Sequence, residues 1–179
     1  NLNMYIDSAT RYFERFCPNK ELTSLNISIS ELVNNVYDHA QSPIDAIVFS
    51  QYYPKLDKII VAVSDLGIGI PKAVNSYFME NKMPKLSDEE TIKWALELNK
   101  TTHSKKHNQG RGLNNLLDFS NSSNSQLRIL SNNVFFVNDS KRSEFKEKPI
   151  EHFFGTIIEV EINIRELPDK DEAEEFDLW

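Results

Sequence analysis

Apolar positions along this chain recur with two periods, one helical and one extended, and their succession lays out the elements. Between residues 4 and 16, Tyr5, Ala9, Tyr12, Phe13 and Phe16 fall at helical spacing until Pro18 interrupts, which predicts an N-terminal helix within residues 1–20. From about residue 25 to 40, Ile29, Leu32, Val33, Val36 and Ala40 follow the i, i+3, i+4, i+7 pattern of a helix with one buried face. Ser42-Pro43 ends it. Residues 45–52 and 58–64 then read as strands joined around Pro54 in a hairpin. The unbroken apolar run from Ile59 to Val63 suits a central strand, and it delivers Asp65 to that strand's end.

Pro71 suits the first turn of a helix running toward Phe78, and residues 87–90 form a capping box ahead of Ile92, Ala95, Leu96 and Leu98. Leu113, Leu116, Leu117 and Phe119 predict a further helix. The remaining strands fall at 126–130, 134–137 and 155–164, the last alternating Ile158, Val160, Ile162 and Ile164 with Glu159, Glu161 and Asn163. Residues 99–109 contain no apolar side chain, so an exposed, mobile loop is expected there. Residues 139–149 read as a charged connection, and the acidic stretch 166–179 as a fraying tail or a truncation point. The element order predicts a two-layer α/β (α+β) sandwich, a mixed sheet with helices on one face, built as one domain over residues 1–165.

Composition narrows what such a fold does. At 179 residues, with 40% hydrophobic and 26% charged residues, the chain supports one well-packed core. Its net charge of −7 argues against direct nucleic-acid binding, which rests on clustered Lys and Arg. The single Cys17 cannot form an internal disulfide, and no apolar run approaches the length that spans a bilayer, so a cytoplasmic setting without membrane contact is expected. Because the chain opens on Asn1 rather than Met, it reads as a fragment, with room in its flanks for a membrane anchor or a partner domain.

Three short segments concentrate the chemistry. On the second helix Glu31, Asn35, Asp38 and His39 lie at offsets of 0, 4, 7 and 8, on one stripe apart from the apolar face. Asn35 offers a neutral oxygen for a Mg²⁺ ion otherwise held by phosphates and water, and Glu31 could orient or deprotonate an attacking water. Asp65, with Gly67 and Gly69 behind it, could accept an amino hydrogen of adenine where the glycines let backbone come close. Gly110, Arg111, Gly112 and Leu113 precede a helix, where free N–H groups favour phosphate oxygens. Lys105, with Lys100, Lys106 and Arg111, would offset the charge of a triphosphate. Taken singly, each feature is also what a solvated helix, a strand turn or a loop hinge would carry.

In order and spacing, these segments resemble the GHKL superfamily of ATP-binding domains, shared by DNA gyrase, heat-shock chaperones, histidine kinases and mismatch-repair ATPases. Glu31-x-x-x-Asn35 resembles its N box, Asp65-x-Gly67-x-Gly69 its adenine-contacting box and Gly110-x-Gly112-Leu113 its phosphate-contacting box. Gly155-Thr156 resembles a pair whose threonine contacts adenine. The resemblance implies a Bergerat ATP-binding fold, ATP and Mg²⁺ as ligands, Asn35 at the metal and residues 99–112 as a lid. Asp38 and His39 fall within the N box, Asp38 where the gyrase-like members carry an acidic residue, while His39-Ala40 is closer to kinases and anti-sigma factors. Slow ATP hydrolysis, phosphoryl transfer of the histidine or serine kinase kind, and a non-catalytic interaction module all stay open. Each implies a protein partner or fused domain, which in the first two reads the nucleotide state and in the third meets a surface that the fold presents.

Overall fold

The computed structural model describes residues 2–39, 42–44, 46–97, 112–147 and 153–170. Two helices come first, α1 (Leu2–Phe16) and α2 (Thr23–His39), followed by a hairpin of β1 (Ile47–Tyr53) and β2 (Lys58–Asp65). Next are α3 (Ile70–Glu80), α4 (Asp88–Leu96) and α5 (Gly112–Ser122), then β3 (Gln126–Ser131), β4 (Val134–Asn138), β5 (Ser143–Lys146) and β6 (Thr156–Asn163). The strands lie side by side in the order β1-β2-β6-β3-β4-β5. Every described pairing is antiparallel, so the sheet is more uniform than the mixed one the sequence suggests.

Alternation decides which face is covered. Ile59, Val61 and Val63 of β2 register with Ile162, Val160 and Ile158 of β6, and the last two with Leu127 and Ile129 of β3. All eight are buried, and with Phe13, Leu25, Ile29, Leu32 and Leu116 from the helices they form a single core. The opposite face carries charge. Lys58 pairs with Glu161, and Arg128 bridges Glu159 and Glu161. The described helices therefore cover one side, and the protein is the two-layer α+β sandwich that the periodicities predict.

Local chemistry explains the elements. The capping box forms as expected: Glu90 N–H donates to Ser87 Oγ at 3.3 Å and Ser87 N–H to Glu90 Oε2 at 2.7 Å. Pro71 sits in the first turn of α3, where a missing N–H costs nothing. Buried Asn75 on α3 holds the approach to α4 with a pair of bonds, donating to Leu86 O at 3.1 Å and accepting from Leu86 N–H at 2.9 Å. Asn75→Ala leaves both Leu86 groups without this partner and is expected to cost about 2 kcal/mol, read as a lower urea midpoint at unchanged m-value.

Two stretches differ from the pattern-based reading. The charged connection at 139–149 contains β5, which has only Phe145 as an apolar residue. An edge strand pairs through its backbone and tolerates charge, so periodicity alone does not reveal it; Phe145 packs against Phe136 with ring centroids 5.4 Å apart and planes inclined at 58°. Beyond the short 3₁₀ turn at Ile164–Glu166, the acidic stretch is built into the fold as far as Lys170. Leu167 is buried, Lys20 Nζ donates to Leu167 O at 2.8 Å, and Lys20 and Asp169 form an ion pair at 3.1 Å.

Candidate functional site

The covered face of the sheet is apolar row after row until the last one at one end. There Asp65 of β2 registers with Thr156 of β6, and Thr156 with Ser131 of β3. All three are buried, with Asp65 3% exposed and Ser131 fully enclosed. A core that turns polar across three adjacent strands is costly unless the groups serve one another or a ligand. This row is the centre of the candidate site.

Asp65 is held from both sides of its strand end. Gly67 N–H donates to Asp65 Oδ1 at 2.7 Å, and the backbone of Thr156 supplies a second hydrogen bond. Burial outweighs these two bonds and pushes the Asp65 pKa above its ordinary 3.8. A carboxylate offers about four lone-pair sites, so it keeps capacity for an incoming amino hydrogen. A side-chain-free residue is required behind it. Gly155 has φ +103°, and a Cβ there would lie 2.2 Å from the Asp65 carbonyl oxygen and 2.9 Å from Oδ1.

Gly69 caps α3 with φ +78°, and a Cβ at this position would meet Asn132 Oδ1 at 1.8 Å. The room left by Gly69 is thus taken by the Asn132 amide, whose Oδ1 is buried without a hydrogen-bond partner. Asn132 itself turns the chain from β3 into β4 at φ 50°, a conformation asparagine tolerates. Ser131 Oγ accepts from Ile70 N–H at 2.9 Å, lies 2.9 Å from Thr156 Oγ1 and donates toward Gly155 O at 3.2 Å. Neither Ser131 nor Asn132 stands out in the sequence, because their importance comes from register between strands distant in the chain. Gly69 and Gly155 were the better signal, since each lies where an added Cβ would collide with a neighbour.

The other sequence-derived candidates divide by position. Glu31, Asn35, Asp38 and His39 lie on α2, with their side chains outside the described part of the structure. α2 packs against α5 and β2, and Leu66 N–H donates to Ser42 Oγ at 3.3 Å, which ties the exit from α2 to the loop after Asp65. Gly112 and Leu113 open α5, whose first turn is joined to the end of α4 by Asn114 Nδ2 donating to Leu96 O at 3.3 Å. Lys105, Gly110 and Arg111, and with them nearly all of the expected lid at 99–112, lie outside the described residues. No helix of the described part is long and apolar enough to cross a membrane.

No known family model matches the chain, and no curated protein does. Among solved structures, it is similar to the 43K ATPase domain of Thermus thermophilus gyrase B in complex with an aminocoumarin. The match has a TM-score of 0.43 and 11% identity, and it covers 95% of this chain and 43% of the gyrase chain. The chain thus spans less than half the length of that neighbour.

Proposed function

We propose that this domain binds ATP, with adenine read at Asp65 and Thr156 and the phosphates directed toward Gly110, Gly112 and Lys105. The observation that carries the reading is the buried Asp65 carboxylate at the end of a core strand, held by Gly67 N–H and registered with the Thr156 hydroxyl residue. Such an enclosed acceptor beside a hydroxyl suits a planar amino-bearing ring better than it suits solvent. The fit to adenine rests on these groups, while the fit to Mg²⁺ rests on Asn35 in the sequence. When bound, the metal would supply charge compensation for the phosphates.

On this reading the domain belongs with the Bergerat ATPases and works as a regulatory module whose nucleotide state is read by a protein partner. Glu31 would orient the water that attacks the γ-phosphate. Titration calorimetry with a non-hydrolysable ATP analogue and Mg²⁺ tests the binding half, and heat-silent titrations with no competition by ATP would end it. For the chemical half, Glu31→Ala is expected to lower steady-state phosphate release by about 100-fold, the typical contribution of a positioned acid or base. Release at the buffer blank from both proteins, with nucleotide still bound, would favour a non-catalytic binding module.

A further inference from the structure

The Ser131 hydroxyl is placed to make three hydrogen bonds, and the identities of its partners constrain their direction. Ile70 N–H, 2.9 Å away, can only donate; the Gly155 carbonyl, 3.2 Å away, can only accept; the Thr156 hydroxyl, 2.9 Å away, can do either. A serine hydroxyl has one proton and two lone pairs. With Ile70 on one lone pair, two arrangements remain. In the first, Thr156 donates to Ser131 and Ser131 donates to Gly155, so both hydroxyl protons face inward. In the second, Ser131 donates to Thr156, and the Thr156 proton is turned away from Ser131. The Gly155 carbonyl keeps a partner in this case, because Asn132 N–H reaches it at 3.3 Å. Neither arrangement strands a backbone group, so the choice passes to whatever meets Thr156.

We infer that Ser131 is a positioning residue that lets Thr156 turn from an inward donor to an outward one when the site receives an amino group beside a bare ring nitrogen. The inference rests on the ATP-binding reading and deepens it. The Asp65 carboxylate accepts a hydrogen bond from the amino group, and Thr156, accepting one from Ser131, donates its own to the ring nitrogen. Donation from Ser131 also polarises the Thr156 O–H in the same direction, which strengthens the outward bond. An edge with a carbonyl in place of the amino group sets lone pairs against the Asp65 carboxylate and is rejected there.

The test compares ATP with 1-deaza-ATP, which keeps the 6-amino group and has C–H in place of ring nitrogen N1. Wild type is expected to bind 1-deaza-ATP about tenfold more weakly than ATP, the usual consequence of removing one buried acceptor. In Ser131→Ala that ratio is expected to widen to about 50-fold, because Thr156 facing a C–H no longer has the Ser131 hydroxyl to turn back to and its proton is left unpaired. A merely structural role for Ser131 would weaken both ligands alike and leave the ratio intact, which overturns the inference; a wild-type ratio near unity does the same. Should the alanine variant fail to fold for want of an acceptor for Ile70 N–H, Ser131→Cys keeps a weak donor and acceptor. Its ratio is expected to fall between the two, and an unchanged ratio again overturns the inference. Failure of the ATP-binding reading is distinguishable, since wild type then binds neither ligand and the inference falls with it.

Discussion

Asp65→Asn is expected to raise the dissociation constant for ATP by about 10- to 100-fold, the equivalent of about 1–3 kcal/mol for a buried donor left facing another donor. The amide can still accept the Gly67 N–H that Asp65 Oδ1 accepts at 2.7 Å, so the loop geometry survives the change. What is lost is the second acceptor. The same substitution is expected to leave thermal stability unchanged or higher, because it removes a charge from a site only 3% exposed. Calorimetry with ATP and a thermal melt on the same sample check both halves, and an unchanged affinity in the folded variant would remove Asp65 from the adenine site.

The pH dependence follows from the same burial. Because the folded-state pKa lies above the unfolded value of 3.8, the folded chain holds this proton more tightly. The Asp65 contribution to stability therefore favours low pH, and it declines as pH rises from about the unfolded value through the raised folded one. ATP affinity runs the other way. It requires the ionised acceptor and is expected to fall as pH drops through the raised value, above the ordinary carboxylate range. In Asp65→Asn both dependences on this group disappear.

Gly155→Ala carries the largest expected loss of stability. Its φ of +103° disfavours any side chain, and the new Cβ would lie 2.2 Å from a backbone oxygen rather than against a side chain able to rotate away. Strain and overpacking together predict about 2–4 kcal/mol, or a melting temperature lower by about 5–15 °C for a domain of this size. Any relaxation must push β6 away from Asp65, so nucleotide binding is expected to weaken even in molecules that remain folded. By contrast, Gly69→Ala would press on the Asn132 side chain, which has rotamers available, although φ +78° still disfavours it. A melt of the two variants side by side is expected to rank Gly155→Ala as the more damaging.

The helices and the core strands were legible in the sequence because each buries a periodic face against one common core. β2 in particular announced itself through the run from Ile59 to Val63, and the polar residue at its end was conspicuous for that reason. β5 was not legible, since an edge strand needs neither an apolar face nor alternation. The site divides along similar lines. Asp65 and the glycines could be read locally, whereas Thr156 acquired meaning only through a resemblance. Ser131 could not be read at all: a serine at a strand end has no distinguishing pattern, and its role exists only once β6 lies between β2 and β3. Asn132 was hidden for a different reason, because its amide fills a space defined by a glycine from another part of the chain.

That placement of β6 has a consequence for the order in which the molecule can be assembled. The hairpin of β1 and β2 and the meander of β3, β4 and β5 precede it in the chain, yet β6 is the strand that joins them. Until residues 156–163 leave the ribosome, β2 and β3 each expose an unpaired edge rich in Ile, Val and Leu, the kind that recruits foreign strands. Pairing over such sequence separations is slow, and it comes after most of the chain has been made. The polar row of Asp65, Thr156 and Ser131 and the protection of both edges then arise in a single late step. A ligand that engages Asp65 and Thr156 together would accordingly favour completion of the sheet, so under the proposed function ATP is expected to act as a folding aid.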